Sequence, residues 1–208
     1  EKNVEALLRS KIQQCKQTVF IFSGSKRHVM SNMFNSSSKP FYQSVISMGL
    51  APISMEVYAD FATRLFEERG KRIERELVKR VYEAFDGYTW FVQMLMNELF
   101  SMTAHDELCG MDKFETAFRN VVWVQEPSYK ELLSNLSTKQ RVLLQAIAKE
   151  GVAKNITSAA FIKKYNLQSA SSVQSALKPL LKHDWVILSE EGYRVYDYFF
   201  SHWLAKEY

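Results

Sequence analysis

The chain has 208 residues, of which 47% are hydrophobic and 24% charged, and its formal net charge is +4. This composition excludes a wholly disordered, collagenous or low-complexity chain, and the length predicts two or three small units. No apolar run approaches the ~20 residues of a membrane-spanning helix, so we expect no membrane partner. The two cysteines, Cys15 and Cys109, follow no zinc or disulfide spacing, which indicates a cytoplasmic protein without a metal site.

The first part of the chain has the pattern of an incomplete α/β layer. An amphipathic helix is predicted at the N-terminus, followed by residues 18–22, Thr-Val-Phe-Ile-Phe. This β-branched and aromatic run without polar alternation predicts a strand buried on both faces of a parallel sheet. The region offers one further weak strand, residues 44–48. We therefore interpret residues 1–53 as the C-terminal part of an α/β core whose earlier strands precede this chain.

Residues 54–136 predict a helical bundle. Amphipathic patterns end near Gly70 and again at Asp86 and Gly87, where the chain has turn residues. Residues 88–102 are rich in aromatic side chains and methionine, which predicts a largely buried helix. Residues 111–136 have a long helical pattern that we expect Pro127 to break into two pieces.

Residues 137–208 predict a winged-helix domain. Ser137 and Thr157 are placed to cap helices, a third helix follows residue 169, and a hairpin turns at residues 190–192. Three helices followed by a hairpin is the order of a winged helix. This segment has 10 basic and 6 acidic residues, whereas residues 1–136 have 17 of each. The basic excess is a sign of nucleic-acid contact, or equally of an ordinary solvated surface.

The sequence contains no complete active site. It has no Gly-x-x-x-x-Gly-Lys-Ser/Thr loop and no hydrophobic strand ending in Asp-Glu, which P-loop ATPases need for phosphate and Mg²⁺. The four histidines lie in polar or helix-end contexts that assemble no catalytic triad. We therefore expect this chain to be inactive as an ATPase by itself.

Three segments carry a resemblance to a known family. Residues 20–30, Phe-Ile-Phe-Ser-Gly-Ser-Lys-Arg-His-Val-Met, resemble the sensor-1 strand and following helix of bacterial and archaeal AAA-type ATPases of the signal-transduction (STAND) superclass. Residues 86–93 are similar to the lid-helix motif of that family, and residues 195–204 to its terminal helix. The chain departs from the family at Gln43 and Ser44, where relatives have Gly-Arg, and at Thr89, where they often have Pro.

The resemblance implies a mainly α fold with three parts: an α/β core remnant at residues 1–53, a helical lid at 54–136 and a winged helix at 137–208. It implies that the P-loop and Walker B strand belong to an ATPase core N-terminal to this chain. ATP and Mg²⁺ are then cofactors of the full-length protein and not of this chain. Nucleotide state would reposition the lid and the winged helix about a hinge near residues 51–52 or 136–137.

The resemblance also implies a nucleotide-sensing role for residues 23–25. A polar residue at the C-terminal end of a parallel strand lies where ligands bind in open α/β sheets. The sensor-1 candidates are Ser23, Gly24 and Ser25, and the candidate phosphate contacts are Arg9, Lys26 and Arg27. The alternatives are a strand-to-helix turn capped by Ser25, and solvated basic side chains.

The predicted third helix of the winged domain has small hydroxyl, amide and lysine side chains away from its apolar stripe. These groups suit phosphate and base-edge contacts, with further basic residues on flanking elements. The candidate DNA contacts are Lys163, Lys164, Ser171, Ser172, Gln174, Ser175, Lys178, Lys182 and Arg194. One alternative is a protein-docking or autoinhibitory module packed on the ATPase core, with a protein partner or a homo-oligomer. The other is a stand-alone winged-helix transcriptional regulator that binds double-stranded DNA.

Overall fold

A computed structural model describes residues 2–24 and 27–207. They are mainly helical, which confirms the predicted fold class, and the chain divides into two compact units, Glu1–Ala51 and Pro52–Tyr208. Among the described residues, no helix is both long and apolar enough to span a membrane. The α-helices are α1 Lys2–Gln14, α2 Arg27–Asn35, α3 Met55–Glu67, α4 Arg75–Ala84, α5 Thr89–Ser101, α6 Phe114–Ser134, α7 Thr138–Glu150, α8 Ala159–Lys164, α9 Ala170–Lys182 and α10 Tyr198–Glu207. The strands are β1 Arg72–Ile73, β2 Leu108–Cys109, β3 Val186–Leu188 and β4 Tyr193–Val195.

The smaller unit is organised around three aromatic rings. The ring centroids of Phe22, Phe34 and Phe41 lie 5.2 to 5.7 Å apart, and Phe34 and Phe41 are buried. Lys39 donates a 2.9 Å hydrogen bond to Glu5 of α1. These contacts hold α1, α2 and the turns that follow α2 together.

The predicted strands at residues 18–22 and 44–48 are wrong. Neither segment forms a strand, and within the described residues no β-ladder includes them. Val19 and Ile21 are 89% and 90% exposed, and Ile46 is 99% exposed. A strand is stable only when a neighbour pairs with its backbone, so an apolar, β-branched run predicts a strand only where such a neighbour exists.

The first four helices of the larger unit, α3 to α6, pack around a hydrophobic core. Ser54 caps α3 by accepting a hydrogen bond from the backbone N–H of Val57. The second helix, which the sequence pattern predicts from about Arg72, starts at Arg75, because Arg72 and Ile73 form β1, which pairs in parallel with β2. Two-residue strands carry no alternating pattern, so the sequence did not indicate this pairing.

Pro127 does not break α6, contrary to the prediction. The helix runs without interruption from Phe114 to Ser134. Pro127 is exposed, so water can satisfy the Trp123 carbonyl that the proline leaves without its helical partner. Beyond the proline, Tyr129 and Leu133 are buried, and this packing holds the second half of the helix in place.

Residues from α7 onward have the predicted winged-helix order. Ser137 and Gln140 form a capping box at α7, and Ser158, one residue after the predicted Thr157, caps α8. Helix α9 follows, and β3 pairs antiparallel with β4 in a hairpin. Helix α10 then closes the chain.

A single hydrophobic core continues across residues 136–137. It contains buried side chains of every helix from α3 to α10. Helix α10 packs on both α6 and α7, so the segments predicted as a lid at 54–136 and a winged helix at 137–208 form one compact unit. The division between compact units lies at Ala51 and Pro52, near the first of the two predicted hinges.

We predict that Gly87→Ala destabilises the larger unit more than Gly151→Ala does. Both glycines have φ near +70°, where any other residue costs ~1 kcal/mol. A Cβ at Gly87 would lie 2.4 Å from the Tyr82 hydroxyl, which donates a hydrogen bond to Ile53, whereas a Cβ at Gly151 meets nothing within 4 Å. Urea unfolding of both variants measures the difference, and equal losses would contradict the steric account.

Candidate functional site

A polar cluster joins the loop after α4 to strand β4 and helix α10. Arg194 of β4 donates hydrogen bonds to the Asp86 carboxylate at 2.9 Å, to the Tyr88 hydroxyl at 2.9 Å and to the Tyr198 hydroxyl at 2.6 Å. The Tyr198 hydroxyl donates to the same Asp86 oxygen at 2.6 Å. These four residues, which we name the Arg194 cluster, link positions up to 112 residues apart in the chain.

Two aromatic rings flank the guanidinium of the cluster. Its central carbon lies 5.2 Å from the centroid of the Tyr88 ring and 5.1 Å from that of Tyr198, within the range of cation–π attraction. Burial and the hydrogen bond to Asp86 raise the pKa of Tyr198 above its ordinary value. Tyr198 therefore keeps its proton and remains a hydrogen-bond donor at neutral pH.

The cluster corrects the predicted role of Arg194. The sequence placed this residue on the wing as a DNA contact, but its side chain is only 16% exposed and is occupied within the protein. Asp86, Tyr88 and Tyr198 were not predicted as site residues. Asp86 and Tyr88 lie in the lid-helix motif and Tyr198 in the terminal-helix motif. Neither motif indicates that the two segments are in contact.

The third helix of the winged domain, α9, has one buried and one exposed face. Val173, Ala176 and Leu180 are buried in the core. Ser169 caps the helix by accepting a hydrogen bond from the Ser172 backbone N–H, and its hydroxyl lies 3.0 Å from that of Ser171. The predicted DNA contacts on this helix are exposed apart from the half-buried Ser172, and they are Ser171, Gln174, Ser175, Lys178 and Lys182.

The lysines at the end of α8 differ from one another. Lys163 is exposed. Lys164 forms a 2.6 Å ion pair with Glu150, and Glu150 also accepts a hydrogen bond from the Tyr165 hydroxyl. The hydrogen bond from Lys164 lowers the pKa of Glu150, so the pair stays ionised at neutral pH. The Lys164 side chain is 61% exposed, so the ion pair with Glu150 offsets its charge but leaves it on the surface.

The candidate nucleotide-sensing residues belong to the smaller unit. Ser23 and Gly24 are exposed and follow an extended segment that is not part of a sheet. Arg9 is half-buried, with its guanidinium carbon 5.9 Å from the centroid of the Phe41 ring. Ser25 and Lys26 lie outside the described residues, as does the side chain of Arg27. The sensor and phosphate-contact roles stay predictions.

The sequence has no P-loop, and in the described part of the chain no group of three His, Cys, Asp or Glu side chains could hold a metal ion. The ring centroid of His202 lies 4.5 Å from that of Phe118. The pKa of His202 is lowered mainly by burial and further by the nearby positive charge of Lys206. This histidine is a packing residue, and we assign no catalytic step to the chain.

Comparison with known proteins supports a winged helix and an ATPase-like fold. Residues 127–206 match a family model described as a probable winged helix domain. A solved structure, the Walker-type ATPase PABY2304 of Pyrococcus abyssi, is similar to this chain with a TM-score of 0.66 and 18% sequence identity. The similarity covers 98% of this chain and 57% of that one, so the chain spans little more than half the length of that ATPase. No curated protein matches the sequence.

We predict that Arg194→Ala lowers the free energy of unfolding by ~2 kcal/mol, because it removes charge-assisted hydrogen bonds from a largely covered guanidinium. The matched control is Arg75→Ala, which removes a 2.6 Å ion pair with Asp60 whose two side chains are 50% and 72% exposed. Such an exposed pair is worth less than ~1 kcal/mol. Urea unfolding measures both, and a loss at Arg194 no larger than at Arg75 would contradict the structural role of the cluster.

Proposed function

We propose that this chain is the C-terminal region of an AAA-type, STAND-like ATPase of the cytoplasm. The observation that carries the proposal is the fold similarity to a Walker-type ATPase over 98% of the chain, together with the winged-helix match at residues 127–206. In this proposal the core N-terminal to the chain contains the P-loop and the Walker B strand. That core binds ATP and Mg²⁺, and the present chain responds to its nucleotide state.

The response is proposed to involve residues 52–208 as one body. The continuous core and the Arg194 cluster both oppose independent movement of the winged helix. The division at Ala51 and Pro52 is the proposed hinge, because no other point in the described chain separates compact units. Ser23 and Ser25 remain the proposed sensors of the γ-phosphate, with Arg9, Lys26 and Arg27 as proposed phosphate contacts.

The full-length protein tests this coupling. Hydrogen exchange followed by mass spectrometry, with and without a non-hydrolysable ATP analogue and Mg²⁺, is expected to change protection near residues 18–30 and 48–54. Amides of α5 and α9 should respond together or not at all, because they share one core. A protein that binds the analogue without any change in these segments would contradict the proposal.

The exposed face of α9 is the proposed docking site for a macromolecular partner. Its serines, Gln174 and two lysines are accessible, and the helix packs only through its opposite face. The partner is duplex DNA or a protein, which differ in how strongly their binding depends on salt. DNA binding would also suit the second candidate function, a stand-alone transcriptional regulator, and this accessible polar face is the observation that favours it.

We predict that, if DNA is the partner, Lys178→Glu combined with Lys182→Glu weakens binding and reduces the slope of log affinity against log salt by about 2, one per lost phosphate contact. The matched control is Lys79→Glu, an exposed lysine of α4. Fluorescence anisotropy with a labelled duplex at several salt concentrations measures the slope. A flat salt response, or equal loss in the control, would exclude DNA and favour a protein partner.

A further inference from the structure

A small cleft opens on the larger unit between α6, the end of α9, and the start of α10. Its volume is about 190 Å³, equivalent to roughly six water molecules at ~30 Å³ each and smaller than the ~300 Å³ of most drug-sized pockets. Four of its lining residues are aromatic and three are titratable: Tyr129, Trp185, Tyr196 and Phe200, and His183, Asp184 and Asp197. The size of the cleft suits a single side chain or a metabolite headgroup.

The walls of the cleft are fixed by the backbone. Asp184 has a φ of +57°, which turns the chain sharply from α9 toward β3. The backbone N–H of Tyr196 donates a 3.0 Å hydrogen bond to the Trp185 carbonyl, so these two aromatic residues lie side by side just beyond the hairpin ladder. Tyr196 is 45% exposed and forms an outer wall.

The inner wall consists of buried rings. Tyr129 of α6 and Phe200 of α10 are 6% and 3% exposed, and their ring centroids lie 4.8 Å apart. Aromatic faces carry partial negative charge, and they attract cations most strongly when the cation is shielded from water. The rings therefore provide an environment that favours a positively charged apolar group.

Asp197 adds a formal negative charge to this environment. Its carboxylate accepts a 2.9 Å hydrogen bond from the backbone N–H of Phe200, which places it at the N-cap of α10. Burial raises the pKa of Asp197, and no cationic side chain contributes to the shift. The partners of the carboxyl group are the backbone N–H groups of Phe200 and Phe199, and in its ionised form Asp197 gives one lining residue of the cleft a negative charge.

We propose that this cleft binds an alkylammonium group, in which methyl groups contact the aromatic rings and the positive charge faces Asp197. This chemistry is shared by free quaternary-ammonium metabolites and by methylated lysine side chains of proteins. The inference is independent of the proposed ATPase function, because it depends only on the walls of the cleft.

The test uses the complete chain with choline as the cation and dimethylbutanol, its neutral carbon isostere, as the matched ligand control. In two-dimensional ¹H–¹⁵N NMR titrations, choline should shift the amide signals of residues 184–185 and 196–200. Dimethylbutanol should bind about tenfold more weakly, because it lacks the charge. Equal binding of the two ligands, or no shift in these residues with choline, would overturn the proposal.

Variants assign the binding to the cleft. Asp197→Asn keeps a good N-cap residue while it removes the charge, and it should weaken choline binding about tenfold. Tyr196→Ala removes the exposed wall and should weaken binding severalfold. Trp90→Ala, which removes a 57% exposed aromatic residue that does not line the cleft, should leave binding unchanged. Wild-type affinity in both cleft variants would contradict the site.

A third titration identifies the source of the ligand. A short peptide that contains trimethyl-lysine is compared with the same peptide carrying unmodified lysine and with choline. Tighter binding of the methylated peptide than of choline supports the site and identifies a protein side chain as the ligand. Tighter binding of choline supports the site and identifies a free metabolite, whereas binding of none of the three overturns the proposal.

Discussion

The burial of Phe85 at the end of α4 is the contact on which the architecture of the larger unit depends. Its ring is fully buried and lies 4.9 Å from that of Phe199, 5.9 Å from Phe91 and 6.1 Å from Phe118. These partners come from α10, α5 and α6, so one side chain connects the middle of the chain to its last helix. Because α10 also packs on α7, the winged helix cannot separate from the helices before it without exposing this aromatic core.

The Arg194 cluster complements the aromatic core with directional contacts. Hydrophobic burial favours association of α10 with α5 and α6 but does not specify one orientation, whereas hydrogen bonds to a planar guanidinium do. Arg194, Asp86 and Tyr198 are hydrogen-bonded to one another at the edge of the same aromatic group, since the ring centroid of Tyr198 lies 5.8 Å from that of Phe85. The wing is therefore held in register with the α4–α5 loop. A proposed partner on α9 and a movement at the proposed hinge near Pro52 would be coupled through this unit as a whole.

Patterns of neighbouring residues predicted the helix caps and the order of the elements. The Ser137 cap and the order of the winged-helix elements depend on neighbouring residues, and the structure confirms both. Residues 18–22 have a strand pattern whose outcome depends on partner strands elsewhere. Pro127 was expected to break α6, but the packing of more distant residues outweighs the local cost.

The candidate sites were less predictable than the fold. Arg194 and Asp86 are 108 residues apart, and sequence patterns do not indicate that they pair, so Arg194 was interpreted as a free cation on the wing. Asp197 and Tyr129 likewise meet only through the packing of α10 on α6, and their shared cleft has no sequence signature. The exposed residues of α9 were predictable, because helical periodicity alone separates them from the buried stripe.

The central claim is that residues 52–208 form one cooperative unit. Native-state hydrogen exchange at increasing urea concentration tests it most directly, with Leu95 of α5 and Leu144 of α7, both fully buried, as reporters. We expect the amides of Leu95 and Leu144 to exchange through the same opening, with the same free energy and the same dependence on urea. Exchange at Leu144 through a separate opening of lower free energy, while Leu95 stays protected, would contradict the account.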